Sequence, residues 1–469
     1  MAFQILSGGL VTTGTTGADL FIVDSGSLSS TTILGKGGND TIQAQDAGNN
    51  GSGTAVLFDG GGNLDVIQLS GLTLLNSTLQ GGAGADNISG AAHIFSGSFV
   101  KGGDGNDTIN LLSGGAIGGS TVHGGNGADS VTISDNLLYS AEMGMGAGAD
   151  TLLISNSGAM ASANILGGGG GDSIVLSGHA AGGGSIISGE GLSINGDSNV
   201  NGGGADTIRF EGTLSGASTV RGKGGADTIT INSGFAATGG QVLGNAGGDT
   251  IVIGSHVGGA VSGNYLIGGG QGNDSITFSG TTTGAMGLSI VGGGGVDSIV
   301  VDGGANGVAA NVFSGQIIGG AGADLVDFAT AAFGSGAFIQ FDAASESNVS
   351  TTDTVDYRTG VTFTVSAALG NAVLSTGVAG GESFNGAITD GILSGTDFQS
   401  SEALTARVAL IDANATTKGN VVMFQDTSAN EYLFIQGGSS GTADDLVVQV
   451  SGYVLGGFTL GSASVQITS

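Results

Sequence analysis

Gly102-Gly103-Asp104-Gly105-Asn106-Asp107-Thr108-Ile109 is the stretch that decides how the rest of the sequence reads, because the chain keeps rewriting it. Its skeleton is Gly-Gly-x-Gly-x-Asp, then a small polar residue, then an aliphatic one. Full copies end at Asp86, Asp107, Asp129, Asp172, Asp274, Asp297 and Asp324, and looser copies at Asp19, Asp40, Asp65, Asp150, Asp206, Asp227 and Asp249. Successive aspartates are 21, 25, 21, 21, 22, 21, 22, 34, 21, 22, 25, 23 and 27 residues apart. A period of 21 to 22 with occasional insertions marks a solenoid built one coil per repeat.

The apolar residues keep the same phase. Two residues after the aspartate the side chain is apolar in all fourteen copies, as at Ile42, Ile109, Val131, Ile229 and Ile299. Four residues after it thirteen are apolar, Gly90 being the exception, and seven residues before it twelve are, as at Leu79, Val100, Val122, Val220 and Ile317. Alternation of period two on both sides of a fixed loop predicts two short strands joined by that loop, with the inward side chains stacked into ladders. The residue just after the aspartate is Ser or Thr in ten of fourteen copies and faces out. At about 4.8 Å per coil, fourteen coils give a rod about 65 Å long. The other corner of each coil varies and shows no recurring ligand set, and the 34-residue step holds an insertion at 189–200.

The expected fold class is therefore all-β, a parallel β-solenoid over residues 1–330 followed by a smaller β-rich C-terminal module over 331–469. Glycine thins out in the module, where 361–365, 420–424, 432–435 and 446–450 read as antiparallel strands and 399–410 as a short helix.

Composition asks for an external stabiliser. The chain has 100 Gly among 469 residues and no Pro, Cys or Trp, and glycine is costly to order. A hydrophobic content of 39% still argues against disorder. The formal charge of −30, from 8 Lys plus Arg against 38 Asp plus Glu, repels nucleic acid and anionic membrane and invites cations. Stacked loops set their aspartates in a self-repelling column. One divalent ion per gap, about 13 ions, would bring roughly +26 and nearly cancel the formal charge.

The first residues, Met-Ala-Phe-Gln-Ile-Leu-Ser-Gly-Gly, have neither a basic region nor a sustained apolar run, so a cleaved secretory signal is not expected. No run of 18 apolar residues exists to span a bilayer as a helix.

Gly-Gly-x-Gly permits positive φ and close backbone approach and turns carbonyl oxygens toward a common point. The aspartate adds a carboxylate. About six hard oxygen ligands from two adjacent turns describe a Ca²⁺ site better than a Mg²⁺ or transition-metal site. The plain alternative is an aspartate ladder that caps turn N–H groups without metal. Zinc has no ligand set, since Cys is absent and His93, His123, His179 and His256 are scattered. Asp197-x-Asn199-x-Asn201-Gly202 matches the start of an EF-hand loop, but Ile208 stands where that loop's Glu belongs. Gly-x-Gly-x-x-Gly matches carry no information at this glycine content, and no Walker sequence occurs.

Over residues 14 to about 330 these fourteen phased copies resemble the RTX (repeats-in-toxin) family of calcium-binding β-solenoids, of the secreted surface-layer type. The repeat consensus Gly-Gly-x-Gly-x-Asp-x-aliphatic-x is a known Ca²⁺-binding β-helix signature. The resemblance implies Ca²⁺ bound between loops of neighbouring coils. It also implies export by type I secretion machinery through an uncleaved C-terminal signal, and an extracellular or cell-surface location. The implied ligands are the fourteen aspartates above together with Gly81, Gly84, Gly102, Gly105, Gly124, Gly127, Gly167, Gly170, Gly269, Gly272, Gly292, Gly295, Gly319 and Gly322. RTX loops usually run in tandem along both edges, whereas a 21-residue period predicts a single file of calcium ions along one edge. The Asp65 loop has Asn63 in place of its third Gly, and the Asp150 and Asp206 loops have Met145 and Asn201 in place of their first. Sites there are expected to be weak or empty.

An enzyme is not expected, since the repeats start at residue 14 and the last 140 residues hold no nucleophile elbow and no acid/base cluster around a histidine. The segments 419–426, 432–435 and 443–447 resemble the C-terminal ends of RTX-type surface-layer proteins, which implies secretion, anchoring or assembly. The sequence begins its first coil almost at once, and an uncapped coil edge is a template for another chain. The expected function is a calcium-binding structural protein whose first partner is itself, polymerised head to tail or in a lattice, with a cell-surface polysaccharide as second partner. The alternative is a calcium-stabilised adhesin or another ice- or glycan-binding module using the outward Ser/Thr file.

Overall fold

The computed structural model describes most of residues 3–177, 193–254, 264–302 and 312–356, and beyond them the segments 362–365, 373–374, 377–378, 387–389, 392–394, 403–414, 420–426, 428–437, 445–451, 458–461 and 464–467. The chain is a parallel β-solenoid with about 22 residues per coil and a small β-rich C-terminal part. It divides into two compact units, Met1–Ala246 and Gly247–Ser469.

In the first unit each coil contributes one strand to each of two parallel sheets flanking the aspartate loop. Asn87–Ala91, Thr108–Leu112 and Ser130–Ser134 exemplify the sheet after the loop. Thr78–Ala83, Phe99–Asp104 and Thr121–Asn126 exemplify the sheet before it. Equivalent residues pair in register, Ile88 with Ile109 and Ile109 with Val131, so each inward position becomes a buried column. Each buried aliphatic side chain contributes about 1.5–3 kcal/mol relative to exposure. A single coil buries few, so its stability comes mostly from its neighbours.

Over residues 27–161 the sequence expectation of two strands per coil falls short. A third parallel sheet runs through Ser27–Ser29, Gly51–Thr54, Leu72–Leu75, Ile94–Ser96, Ala116–Gly118, Leu137–Tyr139 and Met160–Ala161. Its strands have two to four residues, too short for alternation to show in the sequence. They carry Leu28, Leu74, Phe95 and Ile117 into the core. Gly90, the gap in the apolar ladder, is filled from this sheet, because the tip of the Phe95 ring lies 3.3 Å from where a Cβ on Gly90 would sit. The corner after the third sheet, where no motif was expected, holds a neutral ladder. Val56, Ser77 and Ser98 donate their N–H groups to the Oγ atoms of Ser77, Ser98 and Ser120 at 3.2, 3.2 and 3.1 Å.

The inserted coil is built differently from its expectation. Ser193–Asp197 enters the sheet before the loop, with Ile194 between Ile165 and Val220. The residue in register with Ile165 and Val220 is therefore Ile194 and not the seventh residue before Asp206. Residues 198–203, with the EF-hand-like match and Asn201, lie outside the described residues, as do His93, His179 and His256.

In the second unit parallel pairing continues past residue 330. Leu325–Asp327 pairs with Asp353–Asp356, and Phe338–Phe341 with Thr362–Val365. Asp353–Asp356 then pairs in parallel with Leu446–Ser451, the last strand of an antiparallel meander with Asn420–Gln425 and Glu431–Ile435. The helix, expected at 399–410, spans Leu404–Asn414 and packs Val408 and Ile411 against Val422, Phe424, Tyr432, Phe434 and Val447. Among the described residues no helix is long and apolar enough to cross a membrane.

Gly103 has φ of 130°, and a Cβ there would lie 1.8 Å from the carbonyl oxygen of Gly82 in the preceding coil. Gly103→Ala should therefore cost about 2 kcal/mol or more, while Ile109→Val in the strand that follows the same loop should cost about 1 kcal/mol. Denaturant unfolding of the two variants tests this order, and equal losses would contradict it.

Candidate metal centre

The three loop glycines are needed for three different reasons. At Gly102 the space is taken, since a Cβ would stand 2.4 Å from Asp107 Oδ2 and 2.5 Å from the carbonyl oxygen of Gly124 in the next coil. Gly81, Gly124, Gly269 and Gly292 repeat this arrangement with Asp86, Asp129, Asp274 and Asp297 and with a carbonyl of the following coil. Gly319 faces Asp324 Oδ2 in the same way, and Gly167 lies buried in the strand Asn164–Gly169. The second and third loop glycines hold positive φ, as Gly103 and Gly105 do at 130° and 122°. The third-position residues Gly84, Gly127, Gly170, Gly272, Gly295 and Gly322 all share that conformation.

These turns fold each aspartate inward. All fourteen loop aspartates are buried, none more than 3% exposed. The carboxylates form a ladder in which Oδ1 accepts the backbone N–H of the aspartate one coil earlier. In the first unit Asp86 donates to Asp107 at 2.7 Å, Asp107 to Asp129 at 2.8 Å and Asp129 to Asp150 at 2.7 Å. The same bonds link Asp19, Asp40, Asp65 and Asp86 in sequence, and likewise Asp150, Asp172, Asp206 and Asp227. In the second unit they link Asp249, Asp274, Asp297 and Asp324.

The second carboxylate oxygen is the notable one. Oδ2 of Asp40, Asp65, Asp86, Asp107, Asp129, Asp150, Asp274, Asp297 and Asp324 is buried without a hydrogen-bond partner. Asp19 differs, because Thr15 supplies its N–H at 2.6 Å and its hydroxyl at 2.9 Å to Oδ2. Burial, reinforced by the charges of neighbouring aspartates, pushes Asp65 and Asp107 up to about 7 and Asp129, Asp274 and Asp324 up to about 6, against the opposing effect of the N–H bond to each.

The ladder also has a member outside the glycine motif. Asp324 donates its N–H to Asp353 Oδ1 at 2.9 Å, and Asp353 donates to Ser347 Oγ at 2.9 Å. The Ser347 hydroxyl in turn donates to the Val447 carbonyl. Asp353 has no Gly-Gly before it, and its one sequence signal is Asp-Thr-Val, the close of the repeat.

The departures from the motif do not interrupt the ladder. Asn63 takes φ of 81° in place of the third glycine of the Asp65 loop, a conformation asparagine tolerates. Met145, buried beside Asp150, puts a side chain where other coils have the first glycine, while its carbonyl still faces the Gly124 position at 2.4 Å. Asp206 accepts from Asp172 at 2.7 Å.

Oxygen is the only donor here. Among the described residues no three His, Cys, Asp or Glu side chains converge on one point, so side-chain ligands come one per coil and the rest must be backbone carbonyls. An orphaned buried carboxylate oxygen beside a carbonyl of the next coil suits a hard cation such as Ca²⁺. His123, the one described histidine, lies over Gly144 against Phe99, ring centroids 5.8 Å apart. The chain matches no protein-family model, and no curated protein matches it.

Without divalent ions these carboxyls hold protons more tightly folded than unfolded. Their contribution to stability is complete below the ordinary aspartate value of 3.8 and is lost as pH rises through 6 to 7. In chelator the unfolding midpoint should fall steadily between about pH 4 and about pH 7 and level off above that. A flat profile would contradict a buried, unpartnered ladder.

Proposed function

We propose that the chain is a secreted structural protein, resembling the RTX solenoids, that folds on meeting extracellular calcium and polymerises with itself into a surface layer, sheath or filament. The observation that carries this reading is the row of buried Oδ2 atoms left without partners, those of Asp40, Asp65, Asp86, Asp107, Asp129, Asp274 and Asp297 each beside a carbonyl oxygen of the next coil. An ionised carboxylate in that position is strongly disfavoured unless compensated. The residues that would hold Ca²⁺ are the loop aspartates through Oδ2, with the carbonyls facing them. Asp40 is matched with Gly60, Asp86 with Gly102, Asp107 with Gly124 and Asp297 with Gly319. A bound ion supplies positive charge between the carboxylates, so its binding free energy becomes folding free energy.

Location follows from that coupling. In a low-calcium cytoplasm the acidic, glycine-rich chain stays largely unfolded and suits type I export. Outside, sites with Kd on the order of 10⁻⁴ to 10⁻³ M fill. Self-assembly is supported by what the sheets lack. Natural sheets block edge-to-edge pairing with Lys and Pro, and this chain has 8 Lys plus Arg and no Pro.

Circular dichroism in excess chelator at about pH 8 should show little β-structure, with full β-signal regained on adding millimolar Ca²⁺. Full β-structure in chelator would overturn the coupling. Asp107→Asn keeps an acceptor for the Asp86 N–H but removes a charge. It should stabilise the calcium-free protein by about 1 to 3 kcal/mol at that pH while lowering the number of Ca²⁺ ions bound, as counted by equilibrium dialysis.

Electron microscopy of the purified chain should show ordered polymers in millimolar Ca²⁺ that dissolve in chelator. Monomers at saturating Ca²⁺ would refute the assembly reading and leave the calcium reading standing.

A further inference from the structure

The outer face of the sheet after the loop holds a hollow of about 330 Å³ in the coils around Ser89. Gln43, Gln68, Ser89 and Asn110 stand in register across four coils on this face. Beside them Gln45, Ser70 and Ala91 form a second row, also in register. Leu112, 55% exposed, closes one side with an apolar surface. The depression arises because Ser89 and Ala91 are short while the coils on either side carry Gln68 and Leu112. Gln43 Nε2 donates to Gln68 Oε1 at 3.0 Å, which orients both amides and leaves Gln43 Oε1 and the Gln68 amide hydrogens to act outward.

We propose that this groove binds a segment of neutral polysaccharide, running along the stack of coils. None of the described residues lining it is ionisable, so among them neither a cation nor an anion finds a charged partner, and the chain's charge of −30 disfavours anionic polymers further. A wholly apolar ligand would leave the Gln68 and Asn110 amides unsatisfied. An extended peptide gains little, because the strands beneath are paired with neighbours on both sides and offer no free edge. A neutral sugar chain presents hydroxyls that both donate and accept, together with a ring face for Leu112. The rungs are about 4.8 Å apart, close to the length of one pyranose ring along a chain. The groove also has an end, since the row continues from Asn110 through Thr132 to Leu153 and Val175, and the last two offer no hydrogen bonds. Its volume lies at the lower end of the range for ligand clefts.

The inference rests on no part of the calcium reading, and the test is run on the full chain in millimolar Ca²⁺ with its circular-dichroism spectrum checked. Affinity electrophoresis through gels containing β-glucan, mannan or dextran should retard the native chain in at least one of them, and a gel containing alginate should not. Ser89→Trp fills the hollow and should weaken that retardation by roughly tenfold in apparent Kd. Thr230→Trp, the same change at the equivalent outward position six coils along, should leave it intact. Failure of all three neutral polysaccharides to retard the native chain overturns the proposal, as does an equal loss in both variants or retardation by alginate alone.

Discussion

A column of carboxylates inside a protein has to be neutralised, and the rest of this molecule is arranged around that requirement. Two acids in adjacent coils repel each other, and in a water-poor turn the repulsion is far stronger than at a surface. Half of each carboxylate is settled by the backbone, because Oδ1 takes the N–H of the aspartate one coil earlier. That bond fixes the side chain's direction and commits Oδ2 to the interior. At sites such as Asp86, Asp107 and Asp129 that oxygen has no hydrogen-bond partner and calls for a proton or a cation, whereas at Asp19 the N–H and hydroxyl of Thr15 do the work. The repeat could have used threonine throughout. It instead has glycine at the second loop position in every full copy, which leaves the oxygen available.

The glycines follow from the same requirement. An inward aspartate and the carbonyl of the next coil both occupy the space of a Cβ on Gly102, so any side chain there displaces one of them. Backbones in successive loops are close enough that a Cβ on Gly103 would overlap the Gly82 carbonyl. The substitutions that do occur respect these limits unevenly. Lys36 and Lys223 sit at positive φ of 81° and 89° at the second position, where a lysine costs about 1 kcal/mol or more in backbone strain.

The aspartate loop and its columns could be read from the sequence because each rests on a fixed phase of 21 to 22 residues. Ile88, Ile109 and Val131 stack as their spacing requires. What escaped reading lacks that regularity. The third sheet has strands as short as Met160–Ala161, and two residues cannot display a period. The serine ladder at Ser77, Ser98 and Ser120 keeps the phase but uses a residue that is common in any solvent-exposed turn. Asp353 joins the ladder with only Asp-Thr-Val of the motif to mark it. The 34-residue step shifts the position in register with Ile165 to Ile194, which the fixed phase could not foresee. The two oxygens of one carboxylate have different partners, and no sequence pattern separates Oδ1 from Oδ2.

Placing the acids inside also determines what the outside can be. With the loop aspartates buried, stretches of the outward rows such as Gln43, Gln68, Ser89 and Asn110 carry no charge, although the chain's formal charge is −30. Such a surface has little to repel a second copy of itself or a neutral polymer. Because the ladder is enclosed, filling it with cations changes the stability of the coils without changing the chemistry of the faces they present. A solenoid built this way separates two tasks. On the proposed reading, ion availability would decide whether the coils exist, and the outward rows, such as Gln43, Gln68, Ser89 and Asn110, would decide what the folded coils adhere to.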